Sequence, residues 1–405
     1  MRQHLTTRIL SWVTIGLITL GMTLPLASLL VPIPRVSLNG LKLEYELPTW
    51  SFKAFKKGKL QKHVEMWAMR GHPLWSWSVR TMNQMTYTLA GEVSLDYGTS
   101  VQGGKDGYLW QPMYLRALNN NTPPPQKKIY ATFRALRRAQ DILKPHGIPV
   151  IGVINPNLLA LYPDLLPQKY INVQNNESSY SASLRAIERF DPKIVNVFEI
   201  LKNSQSSFPF RFFEPTGSHW NDVGSCVAIR EIGRELGAFW GENIPEPQCE
   251  SYRMRFPPEP AERDLVEIAN LLDEASLYKP APYVIDRPRF VGKKPRRILL
   301  VGTSFLFALE KKLLQSGVAD STTLLFYFRQ SRANGTGSFH SLDKRNLTRE
   351  EVLSYDAIIV DANVAGPGIM GYGFLQFVNA LFDPSEAKND ESTPKVKKQP
   401  HHAAR

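Results

Sequence analysis

Two short segments far apart in the chain carry residue types that can do chemistry together. One is Thr216-Gly217-Ser218-His219-Trp220-Asn221; the other is Ile298-Leu299-Leu300-Val301-Gly302-Thr303-Ser304-Phe305. A serine becomes a nucleophile when a histidine takes its proton, and a carboxylate ordinarily orients that histidine. The second segment reads as a buried strand ending in a tight turn at Gly302, with Ser304 pointing out of the sheet. Backbone N–H groups at the start of the helix that follows, near Phe305, would face a developing oxyanion. Taken alone, Ser304 is better explained as a helix cap, and His219 as a structural residue beside Trp220. No carboxylate stands just before His219. Glu214 and Asp222 are the nearby candidates to orient the imidazole.

The elements that must position these residues read as α/β. A helix is expected from about Lys127 to Lys144, with Ile129, Phe133, Leu136 and Leu143 on one face. Gly147 stops it. Pro149–Ile154 then reads as a short buried strand. An apolar strand after a helix signals a parallel sheet, whose ligands gather at the carboxyl ends of its strands. Asn155, Asn157 and Trp220 are therefore candidate substrate contacts. Further buried strands are expected at 298–302, 323–329 and 355–361, with helices at 181–190, 222–236 and 306–316. Residues 242–296 are proline-rich and read as an irregular insertion or a lid, with one helix around 261–278.

The chain has 405 residues, a formal net charge of +12 and 43% hydrophobic residues. The basic residues are scattered, without the aromatic interleaving of a nucleic-acid groove, so nucleic acid is not an expected partner. An anionic membrane surface or an anionic polysaccharide fits the charge. Ile9–Val31 carries no charge and is long enough to span a bilayer, which takes about 20 residues. Arg2 and Arg8 precede it, placing the N-terminus in the cytoplasm. An uncleaved signal anchor is expected, with a cleaved signal peptide as the alternative. The resulting division is 1–8 cytoplasmic, 9–31 transmembrane, 32–64 membrane-proximal linker, 65–382 main domain with 242–296 as its irregular insertion, and 383–405 disordered tail. Cys226 and Cys249 form a candidate disulfide in an exported chain. With no CxxC pair or Cys/His cluster, no structural zinc motif is found. Trp75, Trp77 and Trp110 could stack on sugars, although core packing is the simpler reading.

Several segments, in order, are similar to the alginate O-acetyltransferase family, the AlgJ- and AlgX-like proteins of SGNH-hydrolase type. His219-Trp220-Asn221 with Gly224 resembles its His-Trp-Asn signature. Gly302-Thr303-Ser304-Phe305 resembles its Gly-Asp-Ser-Phe. Gly104 to Trp110 is similar to its Gly-Lys-Asp-Gly-Trp-Leu-Phe. Pro156, Tyr162-Pro163 and Leu166-Pro167 follow its Pro…Tyr-Pro…Leu-Pro stretch, and Asp361-Ala362-Asn363 with Gly371–Phe374 its C-terminal part. The histidine precedes the serine, as in that family.

The resemblance implies an SGNH-like parallel sheet flanked by helices, and an acetyl-serine mechanism with Ser304 as nucleophile and His219 as base. Gly302, Thr303, Phe305 and Asn221 would surround the oxyanion. It also implies a polysaccharide substrate, no metal or tightly bound cofactor, a membrane-bound O-acyltransferase partner supplying acetyl groups, and a location at the inner membrane facing the periplasm. Two positions depart from the family. Gly217 stands where the triad aspartate is expected, two residues before the histidine, and Thr303 stands for the aspartate of Gly-Asp-Ser. A Ser-His dyad is therefore expected. The alternatives are a degenerate relative that binds polysaccharide or scaffolds an assembly complex, and an acetyl esterase.

Overall fold

A computed structural model describes residues 11–16, 18–21, 23–24, 33–40, 50–70, 74–95, 99–117, 126–166 and 178–383. The expected cytoplasmic segment 1–8 and the tail beyond Asp383 lie outside these residues. So does much of the expected span at 9–31. Its described residues 11–16, 18–21, 23 and 24 are helical. Among the described residues, no helix is long and apolar enough to cross a membrane.

The chain forms two compact units, residues 1–103 with 265–277 and residues 104–264 with 278–405. Residues 65–103 and 265–277, which the sequence reading grouped with the main domain, cluster in the first unit. That unit holds helices Phe52–Lys56, Lys59–Arg70 and Leu74–Ala90 and an antiparallel pair, Glu92–Leu95 with Thr99–Gly103. Arg80 ties it together, donating to the carbonyls of Leu271 (2.5 Å) and Ser37 (2.9 Å).

The second unit is built on a seven-stranded sheet. Its strands are β1 (Val150–Asn155), β2 (Ile194–Val195), β3 (Arg297–Gly302), β4 (Ser321–Phe326), β5 (Gln330–Ala333), β6 (His340–Ser341) and β7 (Ala357–Asn363), in spatial order β6-β5-β4-β3-β7-β1-β2. The five strands from β4 to β2 are parallel, while β5 and β6 add an antiparallel edge. Counted from β3, the parallel strands follow the 2-1-3-4-5 order of doubly wound sheets. The chain thus enters the sheet at its fourth position and reaches the first strand later. For this reason the His219 loop, which follows the last-position strand β2, precedes Ser304 in sequence.

Side-chain alternation shows why the sheet is covered on both faces. Ile151, Val153, Ile298, Leu300, Ala357 and Ile359 enter one apolar layer; Val150, Ile154, Leu299, Val301, Ile358 and Val360 enter the other. Helices α3 (Asp222–Trp240) and α4 (Leu306–Gln315) fill the first layer. Helices α1 (Gln126–Leu143), α2 (Ser179–Phe190) and α5 (Phe374–Phe382) fill the second. In α1 the buried residues Ile129, Phe133, Leu136 and Leu143 form the expected stripe.

The stretch 242–296 is less irregular than its proline content suggests. Gln248–Arg255 and Ala281–Asp286 pair as an antiparallel ribbon, with a register shift between Gln248 and Tyr252. Instead of one helix around 261–278 there is a helical turn at Pro260–Glu262, a short helix at Asp264–Ala269 and another turn at Ala275–Leu277. Cys249, on the ribbon, is bonded to Cys226 of α3, 23 residues earlier. Closing a loop of that size stabilises the folded state by roughly 3 kcal/mol. The double substitution Cys226→Ser/Cys249→Ser is expected to lower the unfolding free energy by that amount, and added reductant should do the same to the wild-type chain in denaturant titrations.

Candidate active site

Ser304 and His219 meet. The serine follows β3 directly, at the carboxyl edge of the sheet beside β7, where the strand order reverses. Its Oγ lies 2.7 Å from His219 Nε2. Gly302 makes the turn fit for a spatial reason: a Cβ there would sit 1.6 Å from Asp361 Oδ1. Asp361, fully buried near the end of β7, holds the turn from below. It accepts from the Thr303 N–H (2.6 Å) and the Thr303 hydroxyl (2.6 Å), and Asn155 Nδ2 donates to it at 2.5 Å. Thr303 thus serves as a hydrogen-bonding partner for a carboxylate on the neighbouring strand.

The histidine loop is held by its own backbone. Gly217 N–H closes a turn on the Glu214 carbonyl (3.2 Å), and Asn221 N–H bonds the Phe212 carbonyl (2.8 Å). The Gly104–Trp110 segment braces this loop: Leu109 N–H donates to the Pro215 carbonyl (2.7 Å) and the Tyr108 hydroxyl to the Phe213 carbonyl (3.3 Å). Phe305 packs beside the imidazole, ring centres 5.1 Å apart, and Trp220 meets Phe305 edge-on.

A carboxylate does reach the imidazole, and it comes from the ribbon segment. Asp264 Oδ2 lies 3.1 Å from His219 Nδ1. The same carboxylate accepts from the Ser218 N–H (2.7 Å) and the Ser218 hydroxyl (2.6 Å). Ser218 Oγ is itself 3.1 Å from His219 Nδ1. Ser304, His219 and Asp264 are therefore linked in one line: a hydrogen bond joins Ser304 to His219, and Asp264 reaches Nδ1 as an ion pair and through the Ser218 hydroxyl, in place of the dyad expected from sequence.

Gly217 explains why the acid is not in the histidine loop. A Cβ at this position would lie 2.5 Å from the backbone carbonyl carbon and oxygen of Glu262. The backbone that delivers Asp264 occupies the space an aspartate at 217 would need. The delivering segment is clamped. Glu262 accepts from Arg255 (2.8 Å) and the Asp222 N–H (3.2 Å), its carbonyl accepts from the Thr216 hydroxyl (3.2 Å), and Glu259 accepts from Arg255 (2.7 Å) and Lys311 (2.9 Å).

The two carboxylates expected to orient His219 bond elsewhere. Asp222 pairs with Lys312 Nζ (2.8 Å) and Arg287 (2.5 Å) and accepts from the Val284 N–H (2.8 Å). Burial raises its pKa, but the attraction of Lys312 and these hydrogen bonds outweigh burial and lower it. Glu214 accepts from Asn221 Nδ2 at 3.0 Å. Asn221 also donates to the Arg211 carbonyl (2.9 Å) and caps α3 through Gly224 N–H (3.0 Å), so its side chain is spent on the loop and not on an oxyanion. Asn157 caps a short helix and bonds Asn363 (3.1 Å); both it and Asn155 are fully buried. Trp220 is buried as well. In the Ser304 turn, the Thr303 N–H is taken by Asp361 and the Phe305 N–H reaches Thr303 Oγ1 at 3.3 Å. Among the described residues, the Ser304 N–H has no acceptor, which leaves it for an oxyanion.

Sequence reasoning missed Asp264 because it sits 45 residues after His219 and 40 before Ser304, in a stretch without motif or clear periodicity. The sharpest available signal was Gly217 itself: a glycine in place of the acid marks a close backbone approach, and the approaching chain can bring a substitute.

Over residues 101–316, just over half the chain, the sequence matches the family described as SGNH hydrolase-like domain, acetyltransferase AlgX. The chain belongs to this family. Similar solved structures include the O-acetyltransferase domain of Pseudomonas putida AlgJ, at 13% identity and TM-score 0.42, covering 70% of this chain and 99% of that one. Bacillus cereus PatB1 is 12% identical at TM-score 0.43, over 66% of this chain and 96% of that one. Pseudomonas aeruginosa AlgX is 13% identical at TM-score 0.37, over 68% of this chain and 65% of that one. No curated protein matches the sequence.

Two expectations follow from the site. Asp264→Asn should lower turnover of p-nitrophenyl acetate on the order of 10⁴-fold, as loss of a triad acid does elsewhere. Adding Gly217→Asp in that background should not restore it. Asp222→Asn should instead destabilise the fold by about 3–5 kcal/mol, because it strands buried Lys312, with turnover per folded molecule nearly unchanged.

A further expectation concerns pH. Burial pushes Asp361 up to about 7 against the hydrogen bonds from Thr303 and Asn155. It pushes Glu214 up to about 7 against the bond from Asn221. Each is raised above its unfolded value near 4, so the folded state keeps protons that the unfolded state releases. Their contribution to stability is therefore greatest at low pH and declines as pH rises from about 4 to about 7. Glu214→Gln and Asp361→Asn should each flatten this decline by more than about 1 kcal/mol, measured by denaturation across that range.

Proposed function

We propose that this protein is an O-acetyltransferase acting on an exported polysaccharide through an acetyl-serine intermediate. The observation that carries the reading is the Ser304–His219 hydrogen bond with Asp264 paired to the far side of the imidazole, at the carboxyl edge of the sheet. His219 Nε2 takes the Ser304 proton as Oγ attacks the acetyl carbonyl of the donor. The donor's leaving group departs with that proton from the imidazolium, and the serine is left acetylated. A sugar hydroxyl then gives its proton to His219 and attacks the acetyl-serine; Ser304 leaves and recovers the proton. Asp264 holds Nδ1–H toward itself and stabilises the imidazolium in both halves. The Ser304 N–H donates to the oxyanion.

In this reading the chain is anchored in the inner membrane through residues 9–31, with its sheet domain in the periplasm. A membrane-bound O-acyltransferase hands it acetyl groups. A scaffold that had lost catalysis would have no use for a clamped carboxylate on the imidazole, and Asp264 favours the enzyme over that alternative. An esterase would share the first half-reaction, with water as the acceptor.

Mass spectrometry of the protein quenched during turnover of p-nitrophenyl acetate should find acetyl on the peptide containing Ser304. Ser304→Ala should abolish the adduct and turnover. Added acceptor glycan should divert acetyl from acetate to glycan; acetate as the sole product at every glycan concentration identifies an esterase.

A further inference from the structure

Residues 50–62, Trp-Ser-Phe-Lys-Ala-Phe-Lys-Lys-Gly-Lys-Leu-Gln-Lys, take no part in the chemistry above. They hold five lysines and no acid. Ser51 caps the helix Phe52–Lys56, accepting from the Ala54 N–H at 3.1 Å, and Gly58 turns the chain at φ 67° into the helix Lys59–Arg70. Nothing in this turn is packed as a core. Trp50 is 73% exposed, Phe52 69% and Phe55 49%. Phe52 and Phe55, three apart on one helix, share a face; Lys56 lies beside it, and Lys53 and Lys57 lie further round the same turn. Among the described residues, Lys53, Lys56, Lys57 and Lys62 pair with no carboxylate.

We propose that residues 50–62 form an interfacial membrane contact, in which Trp50, Phe52 and Phe55 enter the headgroup region of an anionic bilayer and the lysines meet its phosphates. Exposed apolar rings beside a dense positive charge are a combination that water disfavours and an anionic bilayer satisfies in both respects. Lysine stems can cover the rings' flanks while their ammonium groups remain at headgroup level. An anionic polysaccharide would also draw the lysines. It would not reward phenylalanines on a convex helix face, where no second wall sandwiches a sugar. The segment begins 19 residues after Val31, the end of the apolar stretch expected to span the membrane. This contact is separate from that stretch and from the acetyl chemistry, and neither reading depends on it.

The test must report locally, because the apolar N-terminus would bind vesicles by itself. Both native cysteines are bridged, so Phe55→Cys accepts an environment-sensitive fluorophore in the full chain. The labelled protein is reconstituted into vesicles of phosphatidylcholine alone or with phosphatidylglycerol, and its melting temperature is compared with wild type to verify folding. On the phosphatidylglycerol vesicles, emission should shift to the blue and be quenched by lipids carrying a nitroxide near the headgroup. Lys53→Glu/Lys56→Glu/Lys57→Glu should weaken this insertion by ~100-fold or more, at about five-fold per lysine. Raising salt to about 1 M, where the screening length is about 3 Å, should weaken it as well. A label that stays in water on both vesicles overturns the proposal, and so does an equal response on both. A blue shift with polygalacturonate but not with anionic vesicles overturns it in favour of polysaccharide.

Discussion

The close approach of Glu262's backbone to Gly217 is the constraint on which the site depends. Only a residue without a side chain lets the ribbon segment lie against the histidine loop. Once there, the segment is fastened by the Thr216 hydroxyl, Arg255 and the Asp222 N–H. Two residues further on, Asp264 meets both Ser218 and His219. The glycine that removes the expected acid thus makes room for its substitute. Two parts of the chain that are individually unremarkable are brought together at one site through this contact.

A second buried carboxylate supports the other half of the site. Asp361 carries no chemistry in the mechanism, yet it fixes the nucleophile's turn by accepting two hydrogen bonds from Thr303. With Thr303 at this position, the turn borrows its carboxylate from β7. Neither acid of the Gly-Asp-Ser and Asp-x-His patterns is in its expected place, and in both cases another strand or segment contributes one. Burial raises the pKa of Asp361 to about 7 against these hydrogen bonds.

The alternation of apolar residues in β1, β3 and β7, together with the stripe in α1, made the parallel sheet legible in the sequence. Ser304 and His219 were found from local residue type and from the order of several resembling segments. The orienting acid was not legible: Asp222 and Glu214 were nearest in sequence, and Asp264 is nearest in space. Asp222 is drawn off by Lys312, Arg287 and a strand N–H, partners that no local pattern reveals. Asn221, Asn155 and Asn157 were attractive as polar residues at strand ends, but each is engaged in holding backbone or a buried carboxylate. The helix expected around 261–278 is broken into short pieces, because the stretch is shaped by its contacts more than by its own periodicity.

The sequence by itself determined the α/β class, the strand-turn-helix that presents Ser304, and the His219 loop, because backbone periodicity and turn chemistry are local properties. It also determined the cluster of lysines and aromatics at 50–62. Only the tertiary structure decided which carboxylate serves the histidine. That choice rests on which backbone can approach Gly217 within van der Waals distance, and such an approach joins residues with no relation along the chain.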